Sequence, residues 1–222
     1  IVHGLGSKVG DPLTTHPDTP IISFTGGTVT GKHIASVTAP MFKKISLELG
    51  GKNPNIIFAD ANFDKAVKMA VKAAFSNQGQ ICLCGSRLFV QKEIYADFKQ
   101  ALLDKVSQLT VGDPKKESSN LGAVVSKAHM NKILGKIEEG KKLGGKILTG
   151  GNRVILGGNL KNGYYIEPTV IEGLPFDCSI NQEEIFGPVV SLIPFESEEE
   201  VIEMANSTKY GLSASIFTEN IS

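Results

Sequence analysis

The chain has 222 residues, with 23 lysine and arginine and 23 aspartate and glutamate side chains, so its formal net charge at pH 7 is zero. Hydrophobic residues make up 41% and charged residues 21% of the sequence, which is typical of a globular protein and not of a disordered one. The neutral balance disfavours a nucleic-acid partner, which needs a basic face. No apolar run approaches the roughly 18 residues of a membrane-spanning helix, so no membrane partner is expected either.

Apolar patterning predicts strands and helices that alternate along the chain. The predicted strands cover residues 1–2, 21–24, 45–49, 55–58, 87–91, 164–171, 189–193 and 214–217. Helices are predicted over 64–75, 95–109, 126–144 and 197–205, after shorter helical stretches that follow the glycine-rich turns of the first two strands. Asp60 or Asn62, and Ser197, are candidate caps, and 115–120 and 150–162 are predicted loops. This alternation predicts an α/β fold with a mostly parallel sheet flanked by helices.

The cysteines indicate the cellular compartment of the protein, and the chain ends indicate whether the sequence is a fragment. Cys82, Cys84 and Cys178 are an odd number without a regular framework, which favours a reducing, cytoplasmic setting over a secreted disulfide scaffold. None of the four histidines stands at ligand spacing from these cysteines, so we expect no metal site. No signal peptide is visible. Both ends interrupt predicted folded structure, which favours a fragment of a longer protein over a complete small domain.

The glycine-rich segment 24–31 is a candidate phosphate-binding turn. It runs from a strand end through Gly26 and Gly27 to Gly31 at a predicted helix start. Glycine lets a backbone approach a ligand closely, and a helix N-terminus favours a phosphate group. The spacing departs from the standard GxGxxG pattern, and a plain turn explains the same residues.

Three further segments contain candidate chemical groups. Cys82 precedes a strand, where a cysteine can expose its sulfur as a nucleophile, although a lone cysteine is more often a small buried hydrophobe. Glu48 ends a strand before Gly50-Gly51 and is a candidate general base, with a surface or cap role as the alternative. The carboxylates of Glu183 and Glu184 are suited to binding ribose hydroxyls or to lining a turn.

Together these segments resemble the aldehyde dehydrogenase superfamily. Four motifs occur in the family's order: Phe-Thr-Gly at 24–26 with Gly31, Glu-Leu-Gly-Gly-Lys at 48–52, Gln-Gly-Gln-x-Cys at 78–82 and Glu-Glu-Ile-Phe-Gly-Pro at 183–188. The resemblance covers essentially the whole chain and implies part of a two-domain enzyme. It implies that residues 1–44 end an NAD-binding domain and that 45–222 form a catalytic domain incomplete at its C-terminus. Residues 47–54 and the stretch around Cys82 are most similar to the branch that acts on 2-aminomuconic and related semialdehydes.

The resemblance also implies a mechanism. Cys82 as thiolate attacks the aldehyde, the cofactor accepts a hydride, and Glu48 activates the water that hydrolyses the thioester on Cys82. NAD is the implied cofactor, with NADP as an alternative, and the parent protein is expected to be a homo-dimer or homo-tetramer. The implied cofactor-binding residues are Gly6, Gly10, Thr25, Gly26, Gly27, Leu49, Glu184 and Phe186. Cys84 matches no catalytic position.

The sequence departs from the family pattern at one position, and two other function classes are alternatives to the enzyme. Gly27 stands where the family commonly has Ser, which removes a hydroxyl near the pyrophosphate. A cofactor-independent thiol esterase would need neither the glycine turn nor Glu184. A non-catalytic binding protein would not need Cys82 and Glu48. Because the family's first cofactor strands and an upstream Asn donor precede residue 1, we expect the 222-residue chain alone to oxidise aldehydes poorly.

Overall fold

A computed structural model of the chain describes residues 1–220. These residues belong to two compact units, Ile1–Gly50 and Gly51–Ser222. The predicted change of domain, between residues 44 and 45, falls a few residues before this boundary. The strand Lys44–Glu48 belongs to the first unit, because its backbone forms a parallel ladder with the strand at 21–25.

The first unit contains a two-stranded parallel sheet and two helices. Strand β1 pairs with β2 from Ile21 opposite Lys44 to Thr25 opposite Glu48, so both strands end at the same edge. A π-helical stretch at Gly6–Gly10 leads into helix α1. The elements are α1 (Asp11–Thr15), β1 (Ile21–Thr25), α2 (Thr28–Thr38), a 3₁₀ turn (Ala39–Met41) and β2 (Lys44–Glu48).

The second unit is built on a six-stranded sheet in the order β10-β3-β4-β9-β8-β5. Every neighbouring pair is parallel except β5 with β8, which confirms the predicted mostly parallel sheet. A separate antiparallel pair joins β6 and β7. The strands are β3 (Pro54–Ile57), β4 (Arg87–Gln91), β5 (Lys146–Thr149), β6 (Arg153–Val154), β7 (Tyr165–Ile166), β8 (Thr169–Glu172), β9 (Val189–Phe195) and β10 (Ser215–Phe217).

Helices cover both faces of this sheet because its central strands are apolar on both sides. Along β4, Leu88 and Val90 pack on one face with the cores of α3 and α4. Phe89 points to the other face and packs with α7. A third cluster joins α5 and α6 to β8, the neighbour of the edge strand β5. The helices are α3 (Phe63–Phe75), α4 (Tyr95–Ser107), α5 (Lys127–Lys142), α6 (Ser179–Gln182) and α7 (Glu198–Asn206), with 3₁₀ turns at Ser76–Gly79, Lys92–Ile94 and Gly158–Leu160.

Side-chain caps explain where three of these helices begin. Asn62 accepts a hydrogen bond from the Lys65 N–H, Ser126 from the His129 N–H and Ser197 from the Glu200 N–H. Each cap satisfies an N–H group that has no acceptor within its own helix. The predicted caps Asn62 and Ser197 are thereby confirmed.

Three predicted elements need correction. Residues 1–2 form no strand. The predicted strand 164–171 is two strands, β7 and β8, because Pro168 has no N–H for a ladder and interrupts it. The predicted loop 150–162 contains β6 and a 3₁₀ turn. Within residues 1–220, no helix is both long and apolar enough to cross a membrane.

Candidate active site

Cys82 lies in a tight turn between α3 and β4 in the second unit. The backbone before it is left-handed at three consecutive residues, with φ of 49° at Asn77, 57° at Gln78 and 68° at Gly79. This conformation reverses the chain over a few residues and leaves Cys82 half-buried. In residues 1–220 no acceptor is hydrogen-bonded to the Cys82 N–H, so this donor is available to a ligand.

Asn53 holds the Cys82 turn from beneath. Its Nδ2 donates to the Cys82 carbonyl at 2.7 Å and to the Cys84 carbonyl at 3.0 Å. Its Oδ1 accepts from the Ser213 N–H at 3.2 Å. Asn53 is buried, and satisfying its whole amide makes this burial favourable. The Cys82 turn is therefore positioned by a side chain just before β3.

Glu184 and Phe186 lie beside Cys82. The three side chains line one narrow cavity of about 10 Å³ within the second unit. Glu184 Oε1 accepts a hydrogen bond from the Gly51 N–H at 3.3 Å. Phe186 has a φ of 58°, an uncommon conformation for a bulky residue. The structure thus brings together three residues that the sequence placed at one site.

Two basic side chains are buried close to Asn53. Lys52 and Arg87 are each 1% exposed. The Arg87 guanidinium donates to the carbonyls of Lys52, Met204 and Ala205 at 2.7 to 2.9 Å, and so caps the C-terminal end of α7. Burial, reinforced by the Arg87 charge, lowers the pKa of Lys52 to about 7, although Cys178 and Glu184 partly offset this.

The two neighbouring cysteines differ in their chemistry. Cys84 is buried, and this burial raises the pKa of its thiol above the usual value. Because the thiolate is the nucleophilic form, Cys84 is poorly suited to attack a carbonyl. The half-buried Cys82 is the better-placed nucleophile of the pair. Within residues 1–220, no group of three or more His, Cys, Asp or Glu residues could hold a metal ion.

The glycine-rich turn lies in the first unit, at the end of β1. Thr25 ends the strand, the Gly26 N–H donates to the Glu48 carbonyl at 3.0 Å, and α2 begins after Gly27. The Leu49 side chain packs over Gly31, where a Cβ would lie 2.5 Å from Leu49 Cδ2. A Cβ at residue 31 would push the Leu49 side chain aside. The first turn of α2 presents N–H groups without intrahelical acceptors.

Gly6 and Gly10 line a larger cavity of about 640 Å³ within the same unit. Ile21, Phe24 and Ile34 supply apolar walls, with polar side chains between them. Such a mix suits a flat, partly polar ligand. The carboxylate Glu48 is exposed at the end of β2 in this unit.

Several residues around the site were missed from sequence. Lys52 ends the Glu-Leu-Gly-Gly-Lys motif, Asn53 follows it and Arg87 begins β4, but no local pattern shows that these side chains are buried. Gln78 belongs to the Gln-Gly-Gln-x-Cys motif, but the sequence did not show that its side chain bonds to Gly122 and Ala123. His129, which bonds to the Phe186 carbonyl, was not predicted at all. The only local indication of these residues was a run of polar residues beside the Gly-Gly pair and the cysteine.

Comparison with known proteins agrees with this arrangement. The sequence pattern of the aldehyde dehydrogenase family matches residues 1–222. Mouse 2-aminomuconic semialdehyde dehydrogenase is 45% identical over 100% of this chain, which spans 46% of that protein. Zebrafish 4-trimethylaminobutyraldehyde dehydrogenase A is 43% identical over 100% of this chain, which spans 44% of its length. The chain therefore spans less than half of the curated relatives it matches.

A solved structure shows the same similarity in three dimensions. Betaine aldehyde dehydrogenase from Staphylococcus aureus, solved in complex with NAD⁺, superposes with a TM-score of 0.95 at 43% identity. The match covers 99% of this chain and 43% of that one.

Proposed function

Because the chain belongs to the aldehyde dehydrogenase family, we propose that the whole protein oxidises an aldehyde to a carboxylic acid with NAD⁺, with NADP⁺ as the alternative cofactor. The observation that carries this proposal is the setting of Cys82. It is half-buried, its N–H has no acceptor in residues 1–220, and it shares a cavity with Glu184 and Phe186.

Cys82 is the proposed nucleophile. Its thiolate adds to the aldehyde carbon to form a thiohemiacetal, while the Cys82 N–H donates to the developing oxyanion. NAD⁺, when bound, supplies the hydride acceptor. The thioester then left on Cys82 is hydrolysed by water, and Glu48 accepts a proton from that water. The acid leaves, and Cys82 is free for another turnover.

The residues present fit a dinucleotide. The cavity lined by Gly6 and Gly10 suits the adenosine half, and the start of α2 after Gly27 suits the phosphates. Thr25, Gly26 and Leu49 complete that turn, and Glu184 is a candidate to bind the ribose next to the nicotinamide. Gly27 brings no side-chain hydroxyl to the pyrophosphate, so backbone N–H groups carry that contact.

The proposal is tested with the full-length protein and NADH absorbance. Cys82→Ser is expected to lower kcat by at least about 10³-fold, because a hydroxyl is a far weaker nucleophile than a thiolate. Cys178→Ser, another half-buried cysteine, is the matched control and should retain activity. Undiminished turnover by Cys82→Ser would contradict the proposal.

Glu48→Gln tests the second step separately. The amide cannot accept the proton of water, so the thioester should accumulate. We expect a burst of one NADH per active site, followed by a steady rate about 10²-fold below wild type. A steady rate equal to wild type would show that Glu48 is not the base.

We further propose a semialdehyde as substrate. The support is the similarity of residues 47–54 and of the Cys82 turn to the semialdehyde branch, together with 43 to 45% identity to 2-aminomuconic semialdehyde dehydrogenases of four vertebrates. A panel of semialdehyde, aliphatic, aromatic and trimethylammonium aldehydes would compare kcat/KM values. A higher value for the trimethylammonium aldehydes would reject this substrate class.

The proposal also includes the cellular compartment and the oligomeric state. Three free cysteines favour a reducing cytoplasm, and the family resemblance favours a homo-dimer or homo-tetramer. Light scattering of the full-length protein would measure the assembly. Ester hydrolysis without NAD⁺ as the main activity would instead favour the cofactor-independent thiol esterase, and NAD⁺ binding without turnover would favour a binding protein.

A further inference from the structure

Two strained turns flank Cys82 in the second unit. Four non-glycine residues of the chain described by the structure have positive φ, and three of them are Asn77, Gln78 and Phe186. Asn77 and Gln78 precede Cys82, and Phe186 follows Glu184. Such conformations persist only where surrounding contacts hold them.

The two turns touch through their backbones. Gly79 has a φ of 68°, and a Cβ built there would lie 2.1 Å from the Gly187 carbonyl oxygen. No side chain fits at this point, so the Phe186 turn cannot move toward the Cys82 turn without displacing it. The two turns therefore share one geometry.

A third segment, residues 122–129, bonds to both turns. Gln78 Oε1 accepts from the Gly122 N–H at 2.9 Å, and its Nε2 donates to the Ala123 carbonyl at 3.3 Å. At the other end, His129 Nε2 donates to the Phe186 carbonyl at 2.6 Å. Ser126 caps α5 between these points and fixes where His129 lies. We call residues 122–129 the brace.

We propose that Gln78 and His129 are positioning residues, which act through the brace to hold the Cys82 turn and the Phe186 turn in one reactive arrangement. This inference rests on the proposed function and assigns the two residues no contact with substrate. Gln78 sets the left-handed backbone before the nucleophile. His129 sets the carbonyl of the strained Phe186, next to the carboxylate of Glu184.

Variants with shorter or apolar side chains separate the effect of the side-chain hydrogen bonds from the backbone preference of each residue. Gln78→Asn keeps a residue that tolerates left-handed φ, but its amide is one carbon too short for Gly122 and Ala123. His129→Gln keeps an N–H donor of similar reach, whereas His129→Leu removes it. We expect Gln78→Asn and His129→Leu each to lower kcat/KM about 10-fold. His129→Gln should stay within about 3-fold of wild type.

The full-length protein carrying both Gln78→Asn and His129→Leu completes a double-mutant cycle. Because one brace joins both residues, the double variant should lose about 10- to 20-fold and not the product of the single effects. Gln100→Ala, which removes an exposed amide bonded to Asp104, is the control and should stay within 2-fold. Circular dichroism at the assay temperature would show that each variant is folded.

Alkylation of Cys82 gives a readout that does not depend on aldehyde oxidation. Mass spectrometry would follow iodoacetamide labelling of Cys82, with the half-buried Cys178 as the internal standard. In folded protein, we expect Gln78→Asn and His129→Leu to change the Cys82-to-Cys178 rate ratio at least 3-fold, and His129→Gln to restore it. The proposal would be overturned if the Cys82-to-Cys178 labelling ratio did not change. It would also be overturned if the losses in kcat/KM of the two single variants multiplied in the double variant. Absence of NADH formation by wild type would overturn the proposed function alone.

Discussion

The two units of the chain differ in what holds them together. In residues 1–50, a two-stranded sheet and short helices bury few side chains, namely Thr14, Ile22, Ile34 and Thr38. In residues 51–222, a six-stranded sheet carries three apolar clusters. The first unit offers backbone and glycine surfaces suited to the proposed cofactor, while the second supplies a well-packed frame around Cys82. The surface suited to binding thus lies in the first part of the sequence, and the apolar core that stabilises the fold lies in the second.

The largest expected contrast is in hydrogen exchange of the 222-residue chain. Amides of β1 belong to a two-stranded sheet exposed along most of its length, and such sheets are marginally stable. Amides of β4 and β9 lie in buried central strands. We expect protection of β4 and β9 to exceed that of β1 by about 10⁴-fold. Equal protection by mass spectrometry would mean that the two units open together.

Arg87→Met should cost the second unit about 3–4 kcal/mol of unfolding free energy. The change leaves the carbonyls of Lys52, Met204 and Ala205 without their donor in a buried place. Arg87→Lys should recover little, because one ammonium cannot reproduce the guanidinium fork. Urea unfolding followed by circular dichroism measures the loss, since the chain has no Trp.

The exposed Arg153 serves as the reference for that experiment. Arg153→Met should change the unfolding free energy by less than about 0.5 kcal/mol. If Arg87→Met were as mild as this control, the buried guanidinium would not be what joins β4 to the end of α7.

A smaller, pH-dependent effect is expected at Lys52. Burial lowers its pKa to about 7 in the folded chain, against about 10.4 when unfolded. Between these values only the unfolded state holds the proton, so the contribution of Lys52 makes the unfolding free energy rise with pH. Relative to Lys52→Met, the wild type should gain about 2–3 kcal/mol from pH 6.5 to 9.

Urea titrations at several pH values would measure that difference. Below about pH 6 both states hold the proton, so the two curves should run parallel there. Lys132→Met, at an exposed lysine, should run parallel to wild type throughout. A flat difference between wild type and Lys52→Met across pH 6.5 to 9 would show that Lys52 keeps its proton in the folded state.

Local patterns were sufficient for most of the secondary structure. The helix starts at Asn62 and Ser197 follow from side-chain oxygens that bond to nearby N–H groups. The alternation of strands and helices predicted a mostly parallel sheet. The motifs predicted Cys82, Glu184 and Phe186 as one site, and the structure places these three around one cavity.

Only the tertiary structure decided which polar groups are buried and what they hold. Lys52, Arg87 and His129 make contacts across many residues of chain, and no local periodicity encodes such partners. Strand β5 was missed for the same reason, because its pairing with β8 makes it a strand. Local propensity and capping act over a few residues and are legible in sequence. Burial and long-range hydrogen bonds depend on the packed chain, and they determine the surroundings of Cys82.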